Sequence, residues 1–251
     1  MNLRAKFKLL FEKTTGLKTY RQLPFGIDPF EDIQLKLKAF EFLNIIDVGA
    51  NTGQSAKQMR KKFPSAKIYC IEPIKETFLV LKETTNTLNI SCHNIALGAE
   101  NKEIDVKIDA LNRDSSMNSI INNNNLPESE TKVERVKLCT LASFCKTNHI
   151  DRIDYLKIDT EGYDLEVLKG ASELLKSTAI AFVETEVSMN PTNKYHEDFI
   201  AVKKYLEKYD YLLFGIYEQV QEWQKDLPIL RRCNALFIAA EVAKNSGVFK
   251  G

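Results

Sequence analysis

From Asn44 onward the chain alternates strand-like apolar runs with helix-like runs, at a spacing few architectures accept. The strand-like runs fall at 45–49, 67–72, 90–97, 153–159, 179–186, 211–217 and 234–240, and helical patterns fill 54–63, 75–87, 140–148, 163–176 and 197–209. Strand, helix and strand in that order join parallel neighbours through right-handed crossovers and place helices on both faces. The pattern predicts an α/β fold with a doubly wound, mostly parallel seven-stranded sheet. Residues 218–232, between the last two runs, are polar and show no clear helix, so the last strand is expected to be antiparallel.

One insertion interrupts the alternation, at about 102–138. Residues 102–109 and 132–138 read as an antiparallel pair, and the loop at 111–131 between them carries Asn122, Asn123, Asn124 and Asn125. A connection this long is a mobile surface loop or a functional lid. No composition shift marks a second domain, so 44–251 is read as one domain carrying this hairpin insertion. Residues 1–43 form a helical extension. Within 1–23, Leu3, Phe7, Leu10, Phe11 and Leu17 recur at helical spacing, and six basic residues face one acid, Glu12. An amphipathic helix with a basic back is expected. Packing on its own domain or a sister subunit is the favoured reading, and contact with an anionic membrane surface is the other. Residues 24–29 break this helix, and 30–42 resume a helical lead-in.

Composition narrows the function by exclusion. Lys plus Arg number 35 against 34 Asp plus Glu, and a balance this even gives nucleic-acid binding no support. The five cysteines form no C-x-x-C pair and lie mostly in apolar runs, as free thiols do in a reducing compartment. His93, His149 and His196 are scattered, so spacing suggests no zinc site. No apolar run reaches the roughly 18 residues of a membrane span, and no signal-peptide pattern opens the chain. A cytoplasmic protein is expected.

The first strand runs straight into a turn, Asp47-Val48-Gly49-Ala50-Asn51-Thr52-Gly53, and then into a helix. Backbone N–H groups at such a junction are free to receive a polar ligand, and glycine permits close approach. Glu72 ends the second strand 19 residues beyond Gly53, the spacing at which an acid accepts hydrogen bonds from both ribose hydroxyls of a nucleoside. A dinucleotide loop needs G-x-G-x-x-G, and two of its three glycines are missing. A P-loop string is absent as well. A nucleoside with a short zwitterionic tail fits better, which describes S-adenosylmethionine.

The turn at 47–53, Glu72-Pro73, the segment Asn94-Ile95-Ala96-Leu97-Gly98 and above all the stretch 156–171 (LKIDTEGYDLEVLKGA) resemble the FkbM family of class I S-adenosylmethionine-dependent methyltransferases. The similarity extends from about 44 to about 240. It implies a Rossmann-like class I sheet. By that analogy Asp47, Gly49, Asn51 and Gly53, with Ala50 beside them, surround the aminocarboxypropyl tail. Glu72, followed by Pro73, holds the ribose, and Asn94 to Ala96 border the adenine.

Methyl transfer from a sulfonium is an in-line displacement, and an alcohol acceptor must also lose its proton. Asp159 is the leading candidate for the base and Glu161 the second. A divalent metal bound by Asp159 is the alternative, and helix capping by Asp159-Thr160-Glu161 is the structural reading of the same residues. Lys157 interrupts an apolar strand and needs a partner, for which Glu184 is predicted, with Glu186 close by. His196, after the 186–195 loop, is a further candidate base, although a lone loop histidine is expected to be exposed. The resemblance implies an O-methyltransferase with a small-molecule or glycan hydroxyl as acceptor, and the basic N-terminus suggests polysaccharide modification near a membrane. The rival is a non-catalytic nucleoside-binding partner protein with the same fold.

Overall fold

The computed structural model describes residues 3–20, 23–109, 131–193, 195–222 and 227–245. The loop expected at 111–131 lies almost wholly outside the described residues. In chain order the elements are α1 (Leu3–Thr15), α2 (Pro29–Lys36), β1 (Asn44–Val48), α3 (Gln54–Lys62), β2 (Lys67–Ile71), α4 (Lys75–Thr85), β3 (Ile90–His93), β4 (Ala96–Leu97), β5 (Lys102–Asp109), β6 (Thr131–Cys139), α5 (Leu141–Thr147) and β7 (Ile153–Ile158). There follow α6 (Asp164–Gly170), α7 (Ser172–Lys176), β8 (Ile180–Ser188), β9 (Glu197–Asp198), α8 (Phe199–Glu207), β10 (Tyr211–Gln221), β11 (Leu230–Ala239) and α9 (Ala240–Asn245).

The main sheet runs β10-β11-β8-β7-β1-β2-β3, with the two-residue β9 added to β8. Strands β8, β7, β1, β2 and β3 are parallel neighbours, and β11 is antiparallel to both β8 and β10. This is the doubly wound sheet expected from the alternation, including its antiparallel strand. The chain builds outward from β1 to β3, then returns to lay β7 on the other side of β1. Strand order therefore reverses between β1 and β7, where a ligand crevice opens in folds of this kind.

Side chains of adjacent strand residues point to opposite faces, so Ile45 and Ile46 feed two separate cores. Ile46, Val48, Leu156 and Val183 pack on one face with Val167 and Leu168 of α6. Ile45, Tyr155 and Phe182 pack on the other with Ala56 and Met59 of α3. The lead-in helix belongs to this second core. Phe30 of α2 lies 4.5 Å from Tyr155 and 5.0 Å from Phe63, ring centre to ring centre, and Asp32 accepts the Tyr217 hydroxyl at 3.0 Å.

Three local differences from the sequence reading have physical causes. The run 90–97 is two strands, because β4 leaves the main sheet to pair with β6 in a small β4-β6-β5 sheet. The helix at 163–176 breaks at Ala171, where the chain must fit tightly: a Cβ on Gly170 would stand 2.0 Å from the Gly98 carbonyl oxygen. Of the residues read as a connector, 218–221 lengthen β10 and 230–232 begin β11, where the two strands keep pairing as Val220 with Arg232 and Gln221 with Leu230. The favoured packing of the first helix on its own domain is not what the described residues show, since Phe7 and Leu10 of α1 are 71% and 60% exposed.

Candidate active site

The turn after β1 is held from within. Gly49 and Ala50 both donate their N–H to the Ile71 carbonyl, at 2.9 and 3.0 Å, and Asn51 N–H donates to Glu72 Oε2 at 3.0 Å. These amides, expected to be open to a ligand, are spent joining β1 to β2. Gly49 has φ 79°, and a Cβ there would sit 1.9 Å from the Asp159 carbonyl oxygen. What approaches this glycine is the end of β7. Gly53, at φ 86°, is the N-cap of α3 and brings no side chain to its first turn. The first-turn amides of α3 thus lack a side-chain cap.

Glu72 stands at the end of β2 and is only 6% exposed. Its Oε1 accepts from Ile74 N–H and its Oε2 from Asn51 N–H, both at 3.0 Å. A carboxylate offers roughly four acceptor positions, so two remain for hydroxyl donors. Burial pushes this carboxyl up to about 7, against the pull of the two backbone bonds. The Asn94 amide donates to the carbonyls of Glu72 and Pro73, at 3.0 and 2.8 Å, and braces this strand end. Ala50 and Ala96 are buried whole, at 2% and 1% exposure, and the Ala50 N–H is already spent on Ile71.

Register sets Asp47, Lys157 and Glu184 side by side across β1, β7 and β8. The expected Lys157–Glu184 contact is not the one that forms. Lys157 Nζ donates to Asp159 Oδ2 at 2.8 Å, and Glu184 Oε2 takes the Tyr155 hydroxyl at 2.6 Å. Asp159 is one step forward of Lys157 on the same face and Tyr155 one step back, so each reaches a partner along or diagonally across the strands. Burial opposes the Lys157 charge, but Asp159, Asp47 and Glu184 outweigh it and hold the ammonium above the usual lysine range. Asp47 is fully buried. Its Oδ2 accepts from Ser55 Oγ at 2.6 Å, while Oδ1 has no partner among the described residues. Burial raises its pKa against Lys157 and Ser55.

Neither Asp159 nor Glu161 caps the following helix. The N-cap of α6 is Tyr163, with no side-chain cap bond, and the buried Asp164 gathers the Thr160 and Thr185 hydroxyls, both at 2.7 Å. Glu161, at φ 52°, turns toward His196 and Glu186. His196 Nε2 is 2.6 Å from Glu186 Oε2 and 3.8 Å from Glu161 Oε2, and Arg232 donates to the other oxygen of Glu186. The His196 side chain is 7% exposed, contrary to the expectation for a lone loop histidine. Its neighbour Glu197 pairs with Val187 through β9, which pins the loop against β8. Glu161, Glu186 and His196 offer ligand atoms within 4.8 Å of one another, a set able to hold a metal ion. Asp159, the first metal candidate from sequence, is outside that set and tied to Lys157. Burial and then Asp159 raise Glu161 to about 7, with His196 and Arg232 pulling the other way.

A cavity of about 200 Å³ opens beside this row. Its walls are mostly polar, with Asp28, Ser55, Gln58, Lys157, Glu184, Glu218 and Asn234 among them. Asn234 donates to Glu218 at 3.1 Å. The sequence does not single out these two or Arg232, whereas His196 stands out as a candidate base and is found here beside Glu161. The only prior signal was the Glu184-x-Glu186 spacing, which puts both acids on one face.

A protein of Beauveria bassiana (strain ARSEF 2860) named Methyltransferase 1 is 26% identical over 172 residues, covering 62% of this chain and 64% of that protein, just under two thirds of its length. The 2-O-methyltransferase NoeI of Sinorhizobium fredii (strain NBRC 101917 / NGR234) is 23% identical over 181 residues, covering 68% of this chain and 70% of that one. Among solved structures, Aeropyrum pernix fibrillarin with bound S-adenosyl-L-methionine overlaps at a TM-score of 0.45, with 12% identity, covering 83% of this chain and 74% of that one. The overlap is loose, and the fold class rests on the sheet order above. The model of the methyltransferase FkbM domain matches residues 47–213, well over half of the chain. The chain belongs to the FkbM family of methyltransferases.

Proposed function

We propose that this protein is an S-adenosylmethionine-dependent O-methyltransferase acting on a hydroxyl of a sugar, a glycan precursor or another small polar molecule, in the cytoplasm. The observation that carries this reading is Glu72, buried at the end of β2 next to the β1 turn, with two acceptor positions left for ribose hydroxyls. Bound S-adenosylmethionine supplies a methyl carbon activated by its sulfonium. The uncapped first turn of α3 suits the cofactor carboxylate, and the unpartnered Asp47 Oδ1 suits its ammonium. The polar cavity beside Lys157 and Glu184 suits an acceptor rich in hydroxyls. The name of the Sinorhizobium relative supports oxygen as the acceptor atom.

Of the two candidate bases, Asp159 is neutralised by Lys157, whereas Glu161 is a carboxyl held at about 7. A base works best when its pKa lies near the working pH, so Glu161 takes the acceptor proton in this reading, which requires the reacting hydroxyl to extend beyond the cavity lining toward Glu161 and His196. His196, fixed by Glu186, positions it. Glu161→Gln is expected to lower methyl transfer about a hundredfold while leaving S-adenosylhomocysteine binding intact. An unchanged transfer rate would remove Glu161 from the chemistry. Repeating the transfer with chelator and with magnesium tests whether Glu161, Glu186 and His196 act instead as an ion site.

Calorimetric titration with S-adenosylhomocysteine tests the cofactor assignment. Hydroxyl donors favour the ionised carboxylate, so binding lowers the pKa of Glu72 from about 7 and releases a proton at lower pH. Affinity should therefore rise with pH, by up to about tenfold per unit, and level off above about 7. Glu72→Gln should bind at least about tenfold more weakly at pH 8 and lose this slope. No binding to the unaltered protein would sink the cofactor assignment.

A further inference from the structure

We propose that α1 is a peripheral membrane anchor that lies along an anionic lipid surface. The inference stands apart from the methyltransferase reading. On a helix of 3.6 residues per turn, Phe7, Leu10 and Phe11 share one stripe, with Lys6 and Lys13 along one border and Lys8 along the other. The three apolar side chains are 71%, 60% and 39% exposed, so the domain does not cover them. Lys6 and Lys13 can sink their methylene stems beside the stripe and reach outward to lipid phosphates, while Lys8 on the other border is held by Glu12 and Tyr20.

Charge selects the occupant. Residues 5–20 hold four lysines and one acid, Glu12. That acid is already engaged: Lys8 and Lys18 lie at 3.6 and 3.8 Å, and the Thr19 N–H and hydroxyl donate to it at 2.8 and 3.1 Å. The turn that allows this is at Gly16, whose φ of 71° reverses the chain so that Thr19 and Tyr20 return alongside α1. Lys8 then sits over the Tyr20 ring at 5.5 Å. The surface left facing outward is apolar and positive. A second copy of this chain would bring the same lysine borders face to face, whereas an anionic bilayer satisfies both the stripe and its edges. No helix among the described residues is long and apolar enough to cross a membrane, and thirteen residues span only about 20 Å, so the helix lies in the plane of the interface.

The test is co-sedimentation of the full-length protein with vesicles of phosphatidylcholine alone or mixed equally with phosphatidylglycerol. Binding to the mixed vesicles should be at least about tenfold tighter and should weaken as salt is raised. The double variant Phe7→Glu/Phe11→Glu should lose about tenfold or more of that binding while retaining S-adenosylhomocysteine affinity and thermal stability. So should Lys6→Glu/Lys13→Glu, which leaves the apolar stripe intact. Equal binding to neutral and anionic vesicles, no binding to either, or a dimer in sedimentation that the phenylalanine variant dissolves would overturn the proposal.

Discussion

Gly49→Ala is expected to cost about 3–5 kcal/mol of folding stability, a large share of the roughly 5–15 kcal/mol that holds a domain together. Two penalties act at one atom. The backbone has φ 79°, where a Cβ is strained, and that Cβ would stand 1.9 Å from the carbonyl oxygen of Asp159. The obstacle is backbone at the end of a central strand, so no rotamer change relieves it. β1 and β7 would have to part at their carboxyl ends, where Asp159 N–H donates to the Val48 carbonyl at 2.9 Å. Gly53→Ala is the control. It also has positive φ, but its Cβ would meet only the movable tips of Leu81 and Thr85, at 2.9 and 3.0 Å. Denaturant unfolding of both variants should show the Gly49 change costing clearly more, and equal costs would refute the close-approach explanation.

Lys157→Met should destabilise the fold by about 3–5 kcal/mol at neutral pH, because it strips the cation from buried Asp47 and Glu184 and from Asp159. Burial already raises the carboxyls of Asp47 and Glu184, and Lys157 is what restrains the rise. Without it both rise further. A carboxyl whose folded pKa exceeds its unfolded value contributes stability at low pH that is lost as pH climbs through the folded pKa. The variant should therefore lose more stability between pH 5 and pH 8 than the parent does. A deficit that stays constant across that range would mean that lost packing, not unpaired charge, explains it.

The arrangement of the sheet was legible because burial on both faces writes long apolar runs into a parallel strand, and Ile45-Ile46 or Ile180 to Val183 cannot be read otherwise. Its edge was less so. Leu230 to Cys233 belong to β11, yet Arg231 and Arg232 disguise the strand start as a connector. At the site, local spacing singled out Glu72 because its place at the end of β2 is set by distance from Gly53 along one strand-turn-helix unit. The partner of Lys157 depends on reach between strands over a hundred residues removed from β1, where three acids compete and only geometry ranks them. The burial of His196 was unreadable for the same reason, since its loop is held by a two-residue pairing of Glu197 and Asp198 with the end of β8. Gly49 carried the sharpest lesson. A glycine after a strand suggests a ligand drawing near, and here the neighbour is the protein's own backbone.

The position of β11 has a consequence for how the molecule is made. It follows β10 in the chain yet lies inside β10, between it and β8. While the polypeptide emerges from the ribosome, β8 must wait with one ladder of N–H and C=O groups open until nearly the whole domain has been synthesised. The long edge of β8 is then a template for mispairing with other nascent chains. Glu184 and Glu186 sit on that waiting strand, and Asn234 and Arg232 arrive with β11. The Glu184–Glu186 side of the crevice is therefore completed at the closing step of folding, after the turn around Gly49 has had its partners for some time.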